Sequence, residues 1–385
     1  MTNKQFLEII KCALKGEKYA KKAEDEKEIL IQAETNGLIP LLYVDVDEGV
    51  FSSENYKKLK KHFFANVYND DVQKRLIKKV NEAFNDNCID HIFLKGTHLK
   101  EIYPESYYRP MGDIDVVIRK EKSEESRIIF KEAGFKNYSR TAEHDVYSYD
   151  DYFVEVHRYI YVKEGSKDNS PLLRVWDYAL KMEHYQYKLD YAFEGVYLLY
   201  HLKKHVLSSG IGIRSVLDIT IFFNYYEKEI NKETLHELLK ETNLEMFFQT
   251  MLYINKKALD LDSPFLDKDF KVEEEDYQQM LDYICLSGIH GKSGNINVMA
   301  PRVAKKGKFR TFLRLVFPTW AYMKENYPWL KYLPFLLPFA YLMRGFKFIF
   351  RKRKYTKAKL KELKTAGKND DDVENLEEVF KKMGL

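Results

Sequence analysis

The sequence predicts an α+β fold, in which a small mixed sheet is embedded between helical N- and C-terminal regions. Two observations carry this. Strand-like runs alternating with turns concentrate between residues 89 and 165, while apolar residues at helical spacing mark the chain on either side. Composition agrees: 29 Tyr and 25 Phe against only 17 Gly and 10 Pro in 385 residues leave few breakers, as a mainly helical protein requires. A chain of this length can hold two or three domains and a large core.

The segment 1–88 reads as a helical module. Phe6, Ile9, Ile10 and Leu14 share one helix face, and Leu30, Ala33, Leu38, Ile39 and Leu42 mark a second amphipathic segment. Tyr56 to Ala83 gives one or two longer helices with lysines on the wet side. In 89–165, Ile92-Phe93-Leu94 is a short strand ending in Lys95-Gly96-Thr97, which opens a helix. Gly112-Asp113-Ile114-Asp115-Val116-Val117-Ile118 is a second strand, rich in β-branched residues. Glu121 to Ala133 is a helix closed by Gly134. Strands follow near Phe135–Tyr138 and Asp145–Tyr149, then a polar turn at Tyr149-Asp150-Asp151-Tyr152, and Phe153–His157 returns antiparallel.

The segment 166–300 returns to helices. One covers 194–207 and ends at Ser208-Ser209-Gly210; it places His201 and His205 on one face. A zinc site would need a third ligand and an HExxH-type Glu that is missing, so a pair facing the site, or polar packing, is the better reading. Arg214 and Asp218 on the next helix have the spacing of a surface ion pair. Gly288-Ile289-His290-Gly291-Lys292-Ser293 is not a P-loop, because Leu286 stands where its first glycine belongs.

The segment 301–385 joins an apolar, aromatic stretch (Tyr332–Met343, broken by Pro334 and Pro338) to a basic run, Arg351-Lys352-Arg353-Lys354 and the lysines to Lys364. A dozen apolar residues are too few to span a bilayer, which needs about 20. An interfacial membrane anchor, an RNA contact and a helix packed on the core with a solvated basic end remain open, the last preferred because Trp320, Trp329 and the nearby tyrosines call for burial. Residues 369–385 turn acidic and suggest a short terminal helix.

Charge is nearly balanced, 63 Lys+Arg against 59 Asp+Glu for a net +4, and gives no reason to expect stable DNA binding. Cys12, Cys88 and Cys285 are scattered, with no CxxC and no zinc spacing, as for small core residues in a reducing cytoplasm. The charged N-terminus lacks the apolar core of a secretory signal, so a cytoplasmic protein, with peripheral membrane contact through the tail as an open alternative, is expected.

The chemistry concentrates around Asp113 and Asp115. Alternation along a strand points both the same way, and two adjacent carboxylates repel unless a cation lies between them. By themselves they could equally be two acids on the wet face of a half-buried strand. Gly96-Thr97 after a strand, Arg109 and Gly112 just before the pair, and Glu155 in Phe153-Val154-Glu155-Val156-His157 shift the balance.

Strand–Gly-Thr–helix, Gly-Asp-Ile-Asp-Val-Val and Val-Glu-Val-His together resemble the nucleotidyltransferase superfamily with a polymerase-β-type palm. Within it, Leu-Lys-Gly, Arg-Pro-Met-Gly-Asp-Ile-Asp and Glu-Val-His are similar to the uncharacterised bacterial nucleotidyltransferases. Three positions depart from the wider pattern: Gly-Thr replaces Gly-Ser, Gly112 replaces a Ser, and the third carboxylate is Glu155 rather than Asp. The resemblance implies a palm at 89–165 and transfer of a nucleoside monophosphate from an NTP to a hydroxyl-type acceptor, with pyrophosphate released. It implies two Mg²⁺ ions, or Mn²⁺, held by Asp113, Asp115 and Glu155. Lys95, Gly96, Thr97 and Arg109 would meet the NTP phosphates. So would Lys204, His205 and Arg214 from a helical domain at 166–300 that closes over the nucleotide. The acceptor (small molecule, RNA or protein) stays open, as do a toxin-like transferase modifying tRNA and a nucleotide-binding protein without turnover.

Overall fold

The computed structural model describes residues 2–141, 143–161, 170–207, 210–288, 308–320, 323–324, 327–346 and 378–385. Helix α1 (Lys4–Lys15) starts where the Asn3 side chain accepts from the Phe6 N–H, and stops at Gly16, whose φ of 65° suits a residue without Cβ. Helices α2 (Glu26–Thr35) and α3 (Ile39–Val44) follow. Helix α4 (Ser53–Asp86) is a single 34-residue helix; with neither Gly nor Pro in it, nothing interrupts the backbone ladder. Its first half is mostly wet, and its second half buries Leu76, Val80 and Phe84.

The sheet has seven strands: β1 (His91–Leu94), β2 (Asp113–Ile118), β3 (Lys136–Arg140), β4 (His144–Tyr149), β5 (Tyr152–His157), β6 (Ala179–Lys181) and β7 (Gln186–Leu189). Their order is β3-β4-β5-β2-β1-β7-β6, and the sheet is mixed: β2 runs antiparallel to β1 and parallel to β5. Between β1 and β2 lies α5 (Gly96–Leu99), one turn that tightens into a 3₁₀ segment at Lys100–Ile102. Between β2 and β3 lies α6 (Ser123–Glu132).

Side-chain alternation makes the sheet a divider. Ile114, Val116 and Ile118 face a core with Leu76, Val80 and Phe84 of α4 and Ile129 and Phe130 of α6. Val117, Ile92 and Leu94 face a larger core of helices. That core draws on α1–α3 and on α7 (Tyr191–Val206), α8 (Ile213–Tyr225), α9 (Lys232–Thr242), α10 (Glu245–Leu259) and α11 (Glu274–Ser287). Fully buried Phe193, Phe222, Phe223 and Phe247 contribute roughly 1.5–3 kcal/mol each. Gly195 lets α7 close on α8, since a Cβ there would sit 2.5 Å from Phe223 Cζ.

Three expectations are corrected. The sheet extends beyond residue 165: β6 and β7 are short edge-side strands with lysines and no long apolar alternation, so the sequence read there as helix. The helix expected after Lys95 is one turn. The C-terminal aromatic stretch is not main core. Met323, Leu330 and Ala340 of α13 (Leu337–Phe346) form a small cluster of their own; beside it Tyr341 donates to Pro318 O, and Arg344 donates to Val316 O at the end of α12 (Lys308–Val316). Tyr332, Phe335, Phe346 and Trp320 are exposed. Pro334 and Pro338 break the stretch into pieces too short to lay one continuous apolar face on the helices. The end of the chain does return to the main core, through Val379, Phe380 and Met383. The basic run at 351–364 and the Gly/Ser loop at 289–293 lie outside the described residues. No helix among those described is long and apolar enough to cross a membrane.

Candidate active site

Strand register assembles the acidic centre. Asp115 pairs with Glu155 across β2 and β5, and Asp113 with Phe153, so Asp113, Asp115 and Glu155 emerge on one face of adjacent strands. His157, two residues beyond Glu155, shares that face. His144 on β4 is the cross-strand partner of His157 and joins them. On the other side β1 delivers Lys95, whose backbone turns at φ 49° and ψ −115°. A non-glycine residue there costs about 1–3 kcal/mol. The turn aims Lys95 Nζ at Asp115 Oδ1, 2.8 Å away.

The three carboxylates differ by environment. Burial would raise Asp115, but the Lys95 charge and the His157 hydrogen bond at 2.7 Å outweigh it and hold the carboxyl far below its ordinary range. Glu155 is likewise opposed by burial yet lowered, chiefly by His157 at 3.3 Å. Asp113 is open to solvent along its edge but walled by protein on other sides. Desolvation there, then the charges of Asp115 and Glu155, push it up to about 6.

These groups open on a cavity of about 680 Å³. Lys95, Gly96, Arg109, Asp113, Asp115, Glu155, Lys204, His205 and Arg214 all line it. Thr97 does not: it is buried, with Oγ1 turned to Met111 Sδ at 3.8 Å. Helix α7 supplies His201, Lys204 and His205; the two imidazoles meet at 3.0 Å between their Nε2 atoms. Burial and the Lys95 charge hold His201 well below its ordinary pKa. Among the described residues no further metal donor groups with this pair.

The expected Arg214–Asp218 surface pair is corrected. Asp218 is buried and receives Arg109 through two bonds of 2.8 Å each, plus the Tyr103 hydroxyl at 2.8 Å. Bidentate geometry favours Arg109 over its helical neighbour. Arg214 donates to Pro110 O at 2.6 Å, and its buried Nε has no hydrogen-bond partner among the described residues. Burial, then the Arg109 charge, lower Arg214 to about 10.

Other supports are long-range pairs that the sequence reading did not find. Asp70 of α4 holds Lys100 at 2.5 Å and Ser106 at 2.7 Å, and Gln73 bonds Met111 O at 2.7 Å, which together fix the loop leading into Asp113. Glu194 holds His98 at 2.7 Å. His144 did carry a signal: the expected turn pairs Tyr149 with Tyr152, and counting back along both strands sets His144 opposite His157.

A family model described as "Uncharacterised nucleotidyltransferase" matches residues 22–260, more than half of the chain, from the N-terminal helices through the whole sheet to α10. The chain belongs to this family. No curated protein and no solved structure matches it.

Proposed function

We propose that this nucleotidyltransferase moves a nucleoside monophosphate from an NTP to a hydroxyl-type acceptor in a metal-dependent reaction that releases pyrophosphate. The observation that carries the reading is the charge layout of one cavity: Asp113, Asp115 and Glu155 abreast on one wall, with Lys95, Lys204, His205 and Arg214 on others. A triphosphate needs both, cations for its oxygens and carboxylates for the divalent ions that accompany it.

The donor set fits such ions. Asp113 and Asp115 offer the hard oxygen ligands that Mg²⁺ or Mn²⁺ takes, and Asp113, raised by burial and then by the charges of Asp115 and Glu155, gains most from a cation. When bound, divalent ions supply positive charge to the phosphates and lower the pKa of an attacking hydroxyl. Glu155 lies beside them as a further ligand and accepts the hydroxyl proton. The acceptor oxygen bonds to the α-phosphorus as the bond from that phosphorus to the bridging oxygen breaks, and pyrophosphate leaves with the electron pair. Lys95 and Arg214 offset its charge. Arg214 suits this because its Nε lacks a hydrogen-bond partner among the described residues and Asp218 is committed to Arg109. Arg109 acts from the wall, held by Asp218. Gly96 keeps that wall flat where the phosphates approach, and Thr97 supports the turn through Met111.

The test is incubation of the protein with each NTP, labelled in parallel at the α- or the γ-phosphate, with Mg²⁺ or Mn²⁺ and fractionated cell-extract acceptors. Label entering an acceptor with matching pyrophosphate release supports the reading. Label transferred only from the γ-position refutes it.

A further inference from the structure

The histidines beside Glu155 have no place in an oxygen-only metal centre. His144, Glu155 and His157 each present a ligand atom, and the three atoms lie within 4.8 Å of one another. His157 Nε2 is 3.3 Å and His144 Nε2 is 3.8 Å from Glu155 Oε2. Donors sharing one ion at bonds of about 2.0–2.2 Å sit about 3–3.5 Å apart. Binding requires His157 Nε2 to give up its 2.7 Å bond to Asp115 Oδ1, and side-chain torsion of His144 and Glu155, both only partly buried, to close the remaining difference.

The backbone builds this grouping. Glu155 and His157 alternate onto one face of β5, and His144 stands directly across the β4–β5 ladder. Strand β4 is fixed from its other face by Asp145, which holds Arg127 of α6 at 2.7 Å and Arg158 at 3.1 Å. All three donors line the same cavity as Asp113 and Asp115.

We infer that His144, Glu155 and His157 form a site for a borderline transition-metal ion, Zn²⁺ or Co²⁺, in preference to Mg²⁺, on the acceptor side of the cavity. Mg²⁺ demands oxygen ligands in near-octahedral array, whereas imidazole favours the later divalent metals. Three protein donors are the number that leaves a coordination position open, here toward the cavity where an acceptor oxygen would enter. The site stands on its own geometry; only its role in activating the acceptor rests on the transferase reading.

Cobalt titration of the full chain tests it, followed through the visible absorption of Co²⁺ bound to nitrogen. One Co²⁺ per chain is expected, displaced by stoichiometric Zn²⁺ but not by a large excess of Mg²⁺. His144→Ala and His157→Ala should each weaken binding by about tenfold or more, while His236→Ala, at the surface, leaves it unchanged. If His157→Ala fails to fold by circular dichroism, His144→Ala, whose ring is partly exposed, decides alone. Cobalt bound no more tightly than Mg²⁺, or binding that survives both site variants or is lost with His205→Ala instead, overturns the inference. Cobalt binding without nucleotide transfer under any ion upholds the site and refutes the transferase. Full transfer in Mg²⁺ with no cobalt binding does the reverse.

Discussion

Asp218→Ala is the sharpest test of how the cavity wall is held. Asp218 is 4 % exposed and Arg109 7 %, so their pairing is out of water. Truncation removes two charge-assisted hydrogen bonds of 2.8 Å and the Tyr103 bond, and strands the Arg109 guanidinium beside Arg214, whose Nε has no hydrogen-bond partner among the described residues. Buried pairs broken on one side lose about 3–5 kcal/mol, mostly because the remaining charge has no compensation. The second arginine places the expected loss in the upper part of that range. Removing both partners avoids the orphaned charge, so Arg109→Met with Asp218→Ala should be more stable than Asp218→Ala alone. The assay is urea denaturation followed by circular dichroism, with wild type, both single variants and the double. A loss below about 1 kcal/mol for Asp218→Ala, or a double variant that merely adds the two losses, refutes the reasoning.

Three further outcomes follow from the same geometry. Asp113→Asn should raise the melting temperature of metal-free protein above pH 7, and do so less as pH falls through about 6. The folded carboxyl, raised from 3.8 to about 6, holds a proton that the unfolded chain has lost, so wild type loses stability as pH rises through that window and Asn does not; a gain that grows toward acid pH would contradict this. Glu155→Gln should lower turnover more than NTP affinity, measured by comparing kcat with binding calorimetry, and a variant defective only in NTP binding would remove Glu155 from the acceptor side. Gly96→Ala puts a Cβ 2.7 Å from Met111 Sδ and 3.2 Å from Arg109 Nη1. The flexible methionine should yield, at a stability cost within about 1–3 kcal/mol, while calorimetry should show weaker NTP binding; unchanged affinity would take Gly96 out of the phosphate wall.

What could be read from sequence was local. Alternation in Asp113–Ile118 and Phe153–His157 revealed strands and which acids share a face, because a period of two is fixed by the backbone. The unbroken run of α4 was equally legible, although whether it was one helix or two was not. The edge strand β6 and its neighbour β7 were hidden: three or four residues carry too little pattern, and pairing of β7 with β1 and of β6 with β7 supplies what their composition does not. The Arg109–Asp218 pair spans more than a hundred residues, and helical spacing pointed to the wrong arginine. Lys100 with Asp70 was hidden for the same reason. His144 was the one site residue within reach, since the turn that sets β4 against β5 also sets its register.

If the carboxylates on β2 serve transfer of the α-phosphoryl group, α-labelled NTP followed into acceptor shows it most directly, for wild type, Asp113→Asn and Asp115→Asn under identical metal conditions, with melting curves alongside. Wild type should yield labelled acceptor and equal pyrophosphate. Asp113→Asn should yield neither while melting at or above the wild-type temperature, and Asp115→Asn should yield neither while its circular dichroism stays native. Near wild-type labelling by either variant would contradict that role.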